Sequence, residues 1–513
     1  MGEGEMSDTW QQANNVVIEL MEKGQLPEAL EAAGQAVIIA LREYGESHPR
    51  LAISLNNQGE LYHLTGRLDD SNDTLAKSLA VCEAVYGPSA LETAETLMNL
   101  VELHLSRQRY GEARQCMERV VLIYQQQEID PETLVQALYQ LAMILQGLGE
   151  SSPAAERLQQ AMIITEEKLG ADDPHLGTFL NGLAVLDLRA GKIDAAEEKL
   201  RRSLAIFEQS TGTENPEFAK SLGLIAEIFA IRGHFEAAES FFNQALEIFK
   251  NAEVQAPGET ASILERLAAL CAMTGKKERV EALLQEALVH YSGSHEPNDS
   301  SIARVKNDLG EFYLSGSQYD KAQALFEESL AAREKSLGKE HPAVAQSLNN
   351  IAMVFCLRGQ MALALKQHGR ALAIREKAFG VSHPAITQSL ENIADIYRQQ
   401  GQTGKAEELL DRSLAIWQSA HGPDHPAVAQ THHNLATLKI ASGRHQEAER
   451  HLFAARAILE KGGEESLAHL GTVFATLAQL YHRTGRAAEG NEYAARANKI
   501  KNPPHQKRHN SIS

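Results

Sequence analysis

Cysteine is scarce in this sequence, and its spacing is irregular. Only four of the 513 residues are cysteines, and none of them forms a CxxC pair: Cys82, Cys116, Cys271 and Cys356. Isolated cysteines of this kind are typical of reduced core residues in a cytosolic protein. The sequence therefore gives no indication of a disulfide framework or of a cysteine-based metal site.

Long apolar runs are also missing. No segment has the roughly 18 uninterrupted apolar residues that a membrane span needs, and the first residues do not resemble a signal peptide. The opening MGEGEM departs from the myristoylation pattern at Met6, where Ser or Thr is required. We expect a cytoplasmic protein that does not associate with membranes.

Positive charge is in short supply. The chain has 49 basic and 68 acidic residues and a net charge of −19, which disfavours binding to the phosphates of nucleic acids. The basic segment KIKNPPHQKRHNSIS at the end is the exception, and we interpret residues 502–513 as a disordered basic tail and residues 1–6 as a disordered N-terminus. Hydrophobic content of 43% and charged content of 23% are those of a folded protein.

What the sequence does contain is a repeat of 42 residues, most visible in HPAVAQSLNNIA, HPAITQSLENIA and HPAVAQTHHNLA. We number each copy from one anchor residue, which is glycine in ten of twelve copies. The anchors are Gly24, Gly66, Gln108, Gly149, Gly191, Gly233, Gly275, Ser317, Gly359, Gly401, Gly443 and Gly485. One residue is lost between Gln108 and Gly149.

The residues around each anchor predict two antiparallel helices per copy. Before Gly359, the residues Leu348, Ile351, Ala352 and Phe355 follow the i, i+3, i+4, i+7 pattern of one buried helical face. Small residues recur seven before, five after and twelve after the anchor, where helices about 8–10 Å apart leave no room for large side chains. The anchor glycine ends the first helix in a left-handed conformation.

These columns resemble the tetratricopeptide repeat, and the strings SLNNIA, ALAIREKAFG and HPAVAQ resemble its kinesin-light-chain type. The resemblance covers about residues 7–501 and is weaker near 88–150 and 250–300, where Arg266 and Val280 depart from their columns. It implies an all-α fold, an α–α superhelix (solenoid) of about twelve stacked antiparallel helix pairs. In the weaker regions we expect a loosened groove or a subtle kink.

Complete coverage by repeats leaves no contiguous stretch for a catalytic domain. The motifs GxxxxGK[ST], HExxH and GxSxG are absent from the sequence. We therefore predict a protein that is not an enzyme and that needs no cofactor.

The side of each first helix opposite the apolar columns is available to a ligand. It carries the residues thirteen, ten, six and three before the anchor, which are rich in Gln and Asn and suit the backbone of an extended peptide. The predicted peptide-binding groove consists of Arg304, Asn307, Glu311, Gln346, Asn349, Met353, Gln388, Glu391, Asp395, Arg398, Gln430, His433 and Thr437. A second amide column, nine before the anchor, is expected to hydrogen-bond to the backbone of neighbouring helices, and Trp417 to pack within the second helices.

Histidine next to proline recurs at His341, His383 and His425 and invites a metal-binding interpretation. Other copies carry Asp130-Pro131 or Asn215-Pro216 at the same place, and Asp and Asn are helix N-cap residues. Zinc holds its ligands at about 2 Å, so one ion cannot collect residues from successive helix pairs. Adjacent histidines such as His432 and His433 diverge by roughly 100° on a helix and cannot chelate together. We predict N-caps and no metal site.

The function that these observations favour is a non-enzymatic scaffold or adaptor that binds peptide segments of partner proteins in the concave groove. The alternative is a regulatory sensor, in which a peptide or small ligand changes the shape of the superhelix and partner binding. Self-association is a further alternative, because the last helix pair still carries apolar residues such as Leu477 and Tyr481. The sequence does not identify the partner.

Overall fold

The protein is described by a computed structural model, which covers residues 9–107, 109–252, 256–293, 299–463 and 466–501. The predicted terminal segments 1–6 and 502–513, and the irregular anchor Gln108, lie outside these residues. The described residues form 24 α-helices, one short 3₁₀ helix and no strand. The all-α prediction is therefore confirmed.

The chain divides into two compact units, residues 1–295 and 296–513. In the first unit the helices are α1 Thr9–Glu22, α2 Leu26–Tyr44, α3 Pro49–Leu64, α4 Leu68–Val85, α5 Leu91–Ser106, α6 Tyr110–Gln126, α7 Pro131–Gly147, α8 Ser151–Lys168, α9 Pro174–Arg189, α10 Ile193–Ser210, α11 Pro216–Ile231, α12 Phe235–Asn251, α13 Pro257–Met273 and α14 Lys277–Ser292.

In the second unit they are α15 Asp299–Ser315, α16 Tyr319–Leu337, α17 Pro342–Leu357, α18 Met361–Phe379, α19 Thr387–Gln399, α20 Thr403–His421, α21 Pro426–Ala441, α22 His445–Lys461, α23 Leu467–Arg483 and α24 Ala487–Lys501, with the 3₁₀ helix Pro384–Ile386 before α19.

Each odd-numbered helix packs on the even-numbered helix that follows it, as predicted for helix pairs. We call them first and second helices. Within a unit several successive first helices also touch one another, such as α9 and α11 or α21 and α23. The described second helices do not approach one another as closely, so the first helices line the narrower, concave side of each unit.

The predicted small-residue columns are the places where helices meet. The alanines seven before the anchor are buried, as are those five after it; Ala184 and Ala196 are both fully buried. Ala226 and Ala238 occupy the same two positions of the next copy and are buried as well. Larger side chains at these positions would push the paired helices apart.

The histidine of each His-Pro pair is an N-cap, as predicted. Nδ1 of His341 accepts a hydrogen bond from the backbone N–H of Ala343 at 3.1 Å, and Nδ1 of His425 accepts one from that of Ala427 at 3.2 Å. The Asn215 side chain does the same for Glu217 N–H at 2.7 Å. These histidines are therefore interchangeable in role with Asp and Asn.

The anchor column requires a left-handed backbone, and one copy meets that requirement without glycine. Gly359 has φ = 72°, and Ser317, in the same place of the preceding copy, has φ = 58°. A residue with a side chain pays roughly 1–2 kcal/mol to adopt this left-handed conformation. Glycine avoids that cost but loses more backbone entropy on folding, which offsets part of its advantage. We expect Ser317→Gly to raise the free energy of unfolding by about 0.5–1 kcal/mol in urea denaturation. Gly359→Ser is the matched control and should lower it by a similar amount; equal stability of the three proteins would contradict the prediction.

Candidate functional site

The predicted groove residues differ in how far they reach the concave surface. Those thirteen before the anchor in the second unit are all exposed: Arg304, Gln346, Gln388 and Gln430. Glu311, Met353 and Asp395, six before the anchor, are exposed too, whereas Thr437 and Arg398 are half-buried. These two columns therefore lie where a ligand can contact them.

The residues ten before the anchor are not as accessible as predicted. Asn307 is 1% exposed and Asn349 is 4% exposed, while Glu391 and His433 are half-buried. The expectation that Asn307 and Asn349 face a ligand is wrong, because both amides turn towards neighbouring helices. Asn349 Oδ1 lies 2.8 Å from His368 Nδ1, and its Nδ2 donates to Ser389 Oγ at 3.3 Å.

A recurring set of hydrogen bonds between repeats accounts for the burial of Asn307. The residue ten before one anchor bonds to the residue nine before the next, so that the partners are always 43 residues apart. We call this set the amide ladder. Its rungs are Asn57 to Asn14 (3.1 Å), Asn99 to Asn56 (3.1 Å), Asn350 to Asn307 (2.8 Å), Asn434 to Glu391 (3.2 Å) and His433 with Thr476 (2.9 Å). The second amide column thus bonds to side chains of the neighbouring repeat and not, as predicted, to its backbone.

The ladder has no rung between α7 and α13. It also has none between α5 and α7, where Met98 stands ten before the anchor, or between α17 and α19, where Asn349 donates to Ser389. Between α7 and α13 the positions nine before the anchor are occupied by Gly182, Leu224 and Arg266, and Gly223 stands at one position ten before it. Glycine and leucine side chains cannot form rungs, and other polar contacts join the first helices here: Ser221 donates to Asn181, and the ion pairs Lys220–Glu259 and Arg266–Glu227 connect α11 with α13. A cleft opens at this interruption.

The α7–α13 cleft has a volume of about 280 Å³ and crosses four consecutive first helices. Its lining comprises Tyr139, Met143, Gln146, Thr178, Asn181, Gly182, Val185, Glu217, Lys220, Gly223, Leu224, Phe249, Glu259, Ser262, Ile263 and Arg266. Many of these residues occupy the columns predicted for the groove, but in copies upstream of the predicted ones. Arg266, one of the departures from the repeat, is among them.

Two amide nitrogens in the lining have no hydrogen-bond partner among the described residues. They are Asn181 Nδ2 and Gln146 Nε2, both of them shielded from solvent. Asn181 Oδ1 accepts from Ser203 Oγ at 2.9 Å and from Ser221 Oγ at 3.0 Å. Leu224 stands 43 residues later, at the position of a rung partner, and cannot form a rung. Buried donors are rarely left unpaired, so these two suit an acceptor from a ligand.

The charges of the α7–α13 cleft are concentrated at Lys220. Its Nζ lies 2.6 Å from a Glu217 oxygen and 3.5 Å from a Glu259 oxygen. Burial acts to lower the pKa of Lys220, but the hydrogen bond to Glu217 and the two carboxylates outweigh it and raise the pKa. Arg266 is paired at 2.6 Å with Glu227. This group therefore carries three carboxylates against two cations, a net charge of −1.

A family model described as the tetratricopeptide repeat matches residues 14–84, 65–126, 92–167, 133–209, 175–251, 301–377 and 385–461. The chain belongs to the tetratricopeptide repeat family. The prediction of this family is confirmed. The tetratricopeptide repeat fold is generally a non-catalytic scaffold for protein interaction. No curated protein sequence matches the chain.

Several solved structures of such repeats are similar. BtubC (BKLC) from P. vanneervenii shares 22% identity over 45% of this chain and 92% of its own, with a TM-score of 0.41. A Podosopora anserina protein assigned as a kinesin light chain with nearly identical TPR-like repeats shares 26% identity over 41% of this chain and 100% of its own, with a TM-score of 0.36. The apo form of RapI shares 16% identity over 72% of this chain and 97% of its own, with a TM-score of 0.53. The last likeness concerns the fold alone.

A second cleft of about 300 Å³ lies among the predicted residues of the second unit. Gln388, Glu391 and Gln430 line it, together with Thr387, Trp417, Pro426, Ala427 and His469. The half-buried Trp417 ring stacks on His425 at 5.6 Å between centroids. Trp417, on the second helix α20, thus packs against the N-cap residue of the first helix α21 and also contributes to this cleft, which we call the Trp417 cleft.

The adjacent histidines of α21 point to different helices. His432 Nδ1 lies 3.0 Å from His451 Nδ1, and His433 Nε2 lies 2.9 Å from Thr476 Oγ1. Their divergence is as predicted. In the part of the chain that the structure describes, no group of three or more His, Cys, Asp or Glu is arranged to hold a metal ion. None of the described helices is both long and apolar enough to cross a membrane.

Sequence reasoning missed the α7–α13 cleft because it selected the copies that fit the repeat best. The signal that could have revealed it was the loss of amides at positions 182, 223 and 224. Tetratricopeptide repeats hold their shape with regular side chains, so irregular copies are where a specific surface can form.

Proposed function

We propose that this tetratricopeptide repeat protein is a non-catalytic scaffold that binds extended segments of partner proteins on the concave side of its first helices. The observation that carries the proposal is the α7–α13 cleft, which crosses four successive first helices. An extended chain rises about 3.3 Å per residue, and adjacent helices are about 8–10 Å apart. Three residues of a bound segment therefore span one repeat, and a cleft of this length suits about ten.

The exposed glutamines of the second unit extend the same type of surface. Gln346, Gln388 and Gln430 occupy one column of three successive first helices. Each amide offers a donor and an acceptor, which match the carbonyl and N–H groups of an extended backbone. Of the groove predicted from the sequence, this row is exposed, as are Arg304, Glu311, Met353 and Asp395. We propose these residues as a second part of the binding surface.

The test is capture of dodecapeptides on an array by the full chain, followed by affinity measurement on the best binders. We expect the combined Gln346→Ala, Gln388→Ala and Gln430→Ala variant to weaken segments held in the second unit about tenfold, since three lost hydrogen bonds of roughly 0.5 kcal/mol each, the lower end of the usual range, sum to about 1.5 kcal/mol. For segments held in the first unit, Asn181→Leu should weaken binding by a similar factor.

The matched control removes amides from second helices. Gln418→Ala with Gln446→Ala changes exposed glutamines of α20 and α22 and should leave capture unchanged. If every captured segment binds equally well to both groove variants, the concave surface is not the binding site and the proposal fails.

A further inference from the structure

The interruption of the amide ladder indicates what the α7–α13 cleft binds. Elsewhere the amide ten before an anchor is paired with the next repeat, as Asn307 is with Asn350 at 2.8 Å. Asn181 stands at the same position and is 8% exposed, and Leu224 stands in place of its rung partner. In the rungs the residue ten before the anchor accepts through its oxygen. In Asn181 that oxygen is engaged by Ser203 and Ser221 instead, and Nδ2 has no acceptor among the described residues.

The acceptor that fits is a neutral carbonyl. The Ser203 and Ser221 hydroxyls contact both Asn181 Oδ1 and the backbone oxygens of Gly177 and Glu217. With Oδ1 engaged in this way, Nδ2 is the atom left for a ligand acceptor. Gln146 Nε2 is the second unpaired donor of the lining. Two donors on neighbouring first helices, which are about 8–10 Å apart, match carbonyl groups about three residues apart on one extended backbone.

The rest of the cleft is apolar. Met143, Val185, Leu224, Phe249 and Ile263 form most of its wall. A cavity of about 150 Å³ with such walls accommodates a benzene ring, and the cleft has about 280 Å³. One aromatic or large aliphatic side chain therefore fits, together with atoms of the backbone next to it.

The charge of the rim selects against acidic ligands. Lys220 is shared by Glu217 and Glu259 at 2.6 and 3.5 Å, and Arg266 is neutralised by Glu227. Neither cation is free for a ligand carboxylate, and the excess charge is negative. A lysine or arginine next to the bound apolar side chain complements this rim.

We infer that the α7–α13 cleft binds a protein segment through one bulky apolar side chain, with adjoining backbone carbonyls on Asn181 and Gln146 and a basic residue facing Glu217 and Glu259. This inference rests on the proposed function and names the chemical class of its ligand. A free C-terminal carboxylate and an acidic segment are excluded as ligands by the same charges.

The experiment uses the full chain and an array of end-capped octapeptides, random except for one fixed residue in the middle. We expect selection of Phe, Trp, Leu or Met at the fixed position, of Lys or Arg beside it, and depletion of Asp and Glu. The affinity of the best peptide is then measured by fluorescence anisotropy. Asn181→Leu, which removes the donor, and Ser262→Trp, which fills the cleft from α13, should each weaken it about tenfold or more.

Two further variants distinguish a loss of the binding site from a loss of folding. Leu224→Asn offers an amide oxygen to Asn181 Nδ2 and should weaken the binding of the peptide severalfold while the helical circular dichroism stays the same. Gln209→Ala, an exposed amide on the second helix α10, should change the affinity less than twofold. Loss of binding in Ser262→Trp with unchanged helicity supports the cleft as the site.

The outcomes separate the inference from the proposed function. Capture without apolar preference, or a best peptide that is rich in Asp and Glu, overturns the inference, and so does an affinity that Asn181→Leu and Ser262→Trp leave unchanged. If such peptides respond instead to the glutamine variant of the second unit, the proposed function stands without the inference. Absence of capture by any array rejects both.

Discussion

We expect Phe326→Ala to lower the local free energy of unfolding by roughly 3–5 kcal/mol. Phe326 lies on α16, is fully buried, and packs with Tyr313, Ile351 and Val354. Its ring rests directly on α15, since a Cβ added to Gly310 would lie 2.5 Å from Phe326 Cε1. A glycine has no side chain that could relax into the space, so the cavity stays open and the cost is at the upper end of the range.

Hydrogen exchange is the appropriate measurement, because each repeat of a solenoid contacts mainly its neighbours and destabilisation stays local. Protection should fall in α15–α17 and remain unchanged in α7–α9 of the other unit. The control is the pair Phe326→Leu with Gly310→Ala, which reproduces the leucine and alanine found at these positions in Leu158 and Ala142. The double variant should recover most of the stability that Phe326→Ala loses. An equal loss of stability in the double variant and in Phe326→Ala would mean that the cavity beside Gly310 is not the cause.

The second large effect concerns pH. His368 is 2% exposed, and burial together with the nearby Arg375 guanidinium lowers its pKa from 6.5 to about 4. The folded imidazole is therefore neutral over a range in which the unfolded one takes up a proton. Its contribution to stability is complete above pH 6.5 and is lost as the pH falls towards 4, a difference of roughly 3 kcal/mol.

The variant His368→Leu removes this dependence and restores the residue that Leu158, Leu200 and Leu410 provide at the same position. At pH 7 it leaves Asn349 Oδ1 without the imidazole, which costs about 1–3 kcal/mol before the gain in apolar burial. Urea denaturation at pH 7 and pH 4.5 should show that the variant loses less stability between the two than the natural chain does. His482→Leu, which replaces an exposed histidine of α23, should leave the pH dependence of the natural chain intact. Parallel behaviour of His368→Leu and the natural chain would contradict the assignment to His368.

The helix pairs could be predicted from the sequence because local rules fix them. Anchor glycines such as Gly359, N-caps such as His341 and small residues such as Ala352 each act within one copy. Twelve repetitions of the same pattern then confirm one another. The fold class, the helix order and the role of the His-Pro pairs follow from these short-range signals.

The site could be predicted only in part, because it depends on contacts between copies. Two amide columns were visible, but only the packing of successive first helices brings Asn307 next to Asn350 and removes Asn307 from the surface. The α7–α13 cleft is still harder to predict from the sequence, since it lies where the ladder positions carry no amide side chain. Gly182 and Leu224 do not by themselves indicate a binding site. They become informative only when the hydrogen bonds of the neighbouring repeats are known.

The ladder has a consequence for how such a chain can diversify. Every rung joins a residue to the one 43 positions later, one more than the length of the copied block. Duplication of a 42-residue block therefore creates a new rung in register. The first helices of the enlarged protein remain joined by hydrogen bonds without any further mutation. A binding cleft then needs only point substitutions of ladder amides within a few adjacent copies. Binding specificity can therefore arise after duplication through substitutions at single positions, without a new loop or domain.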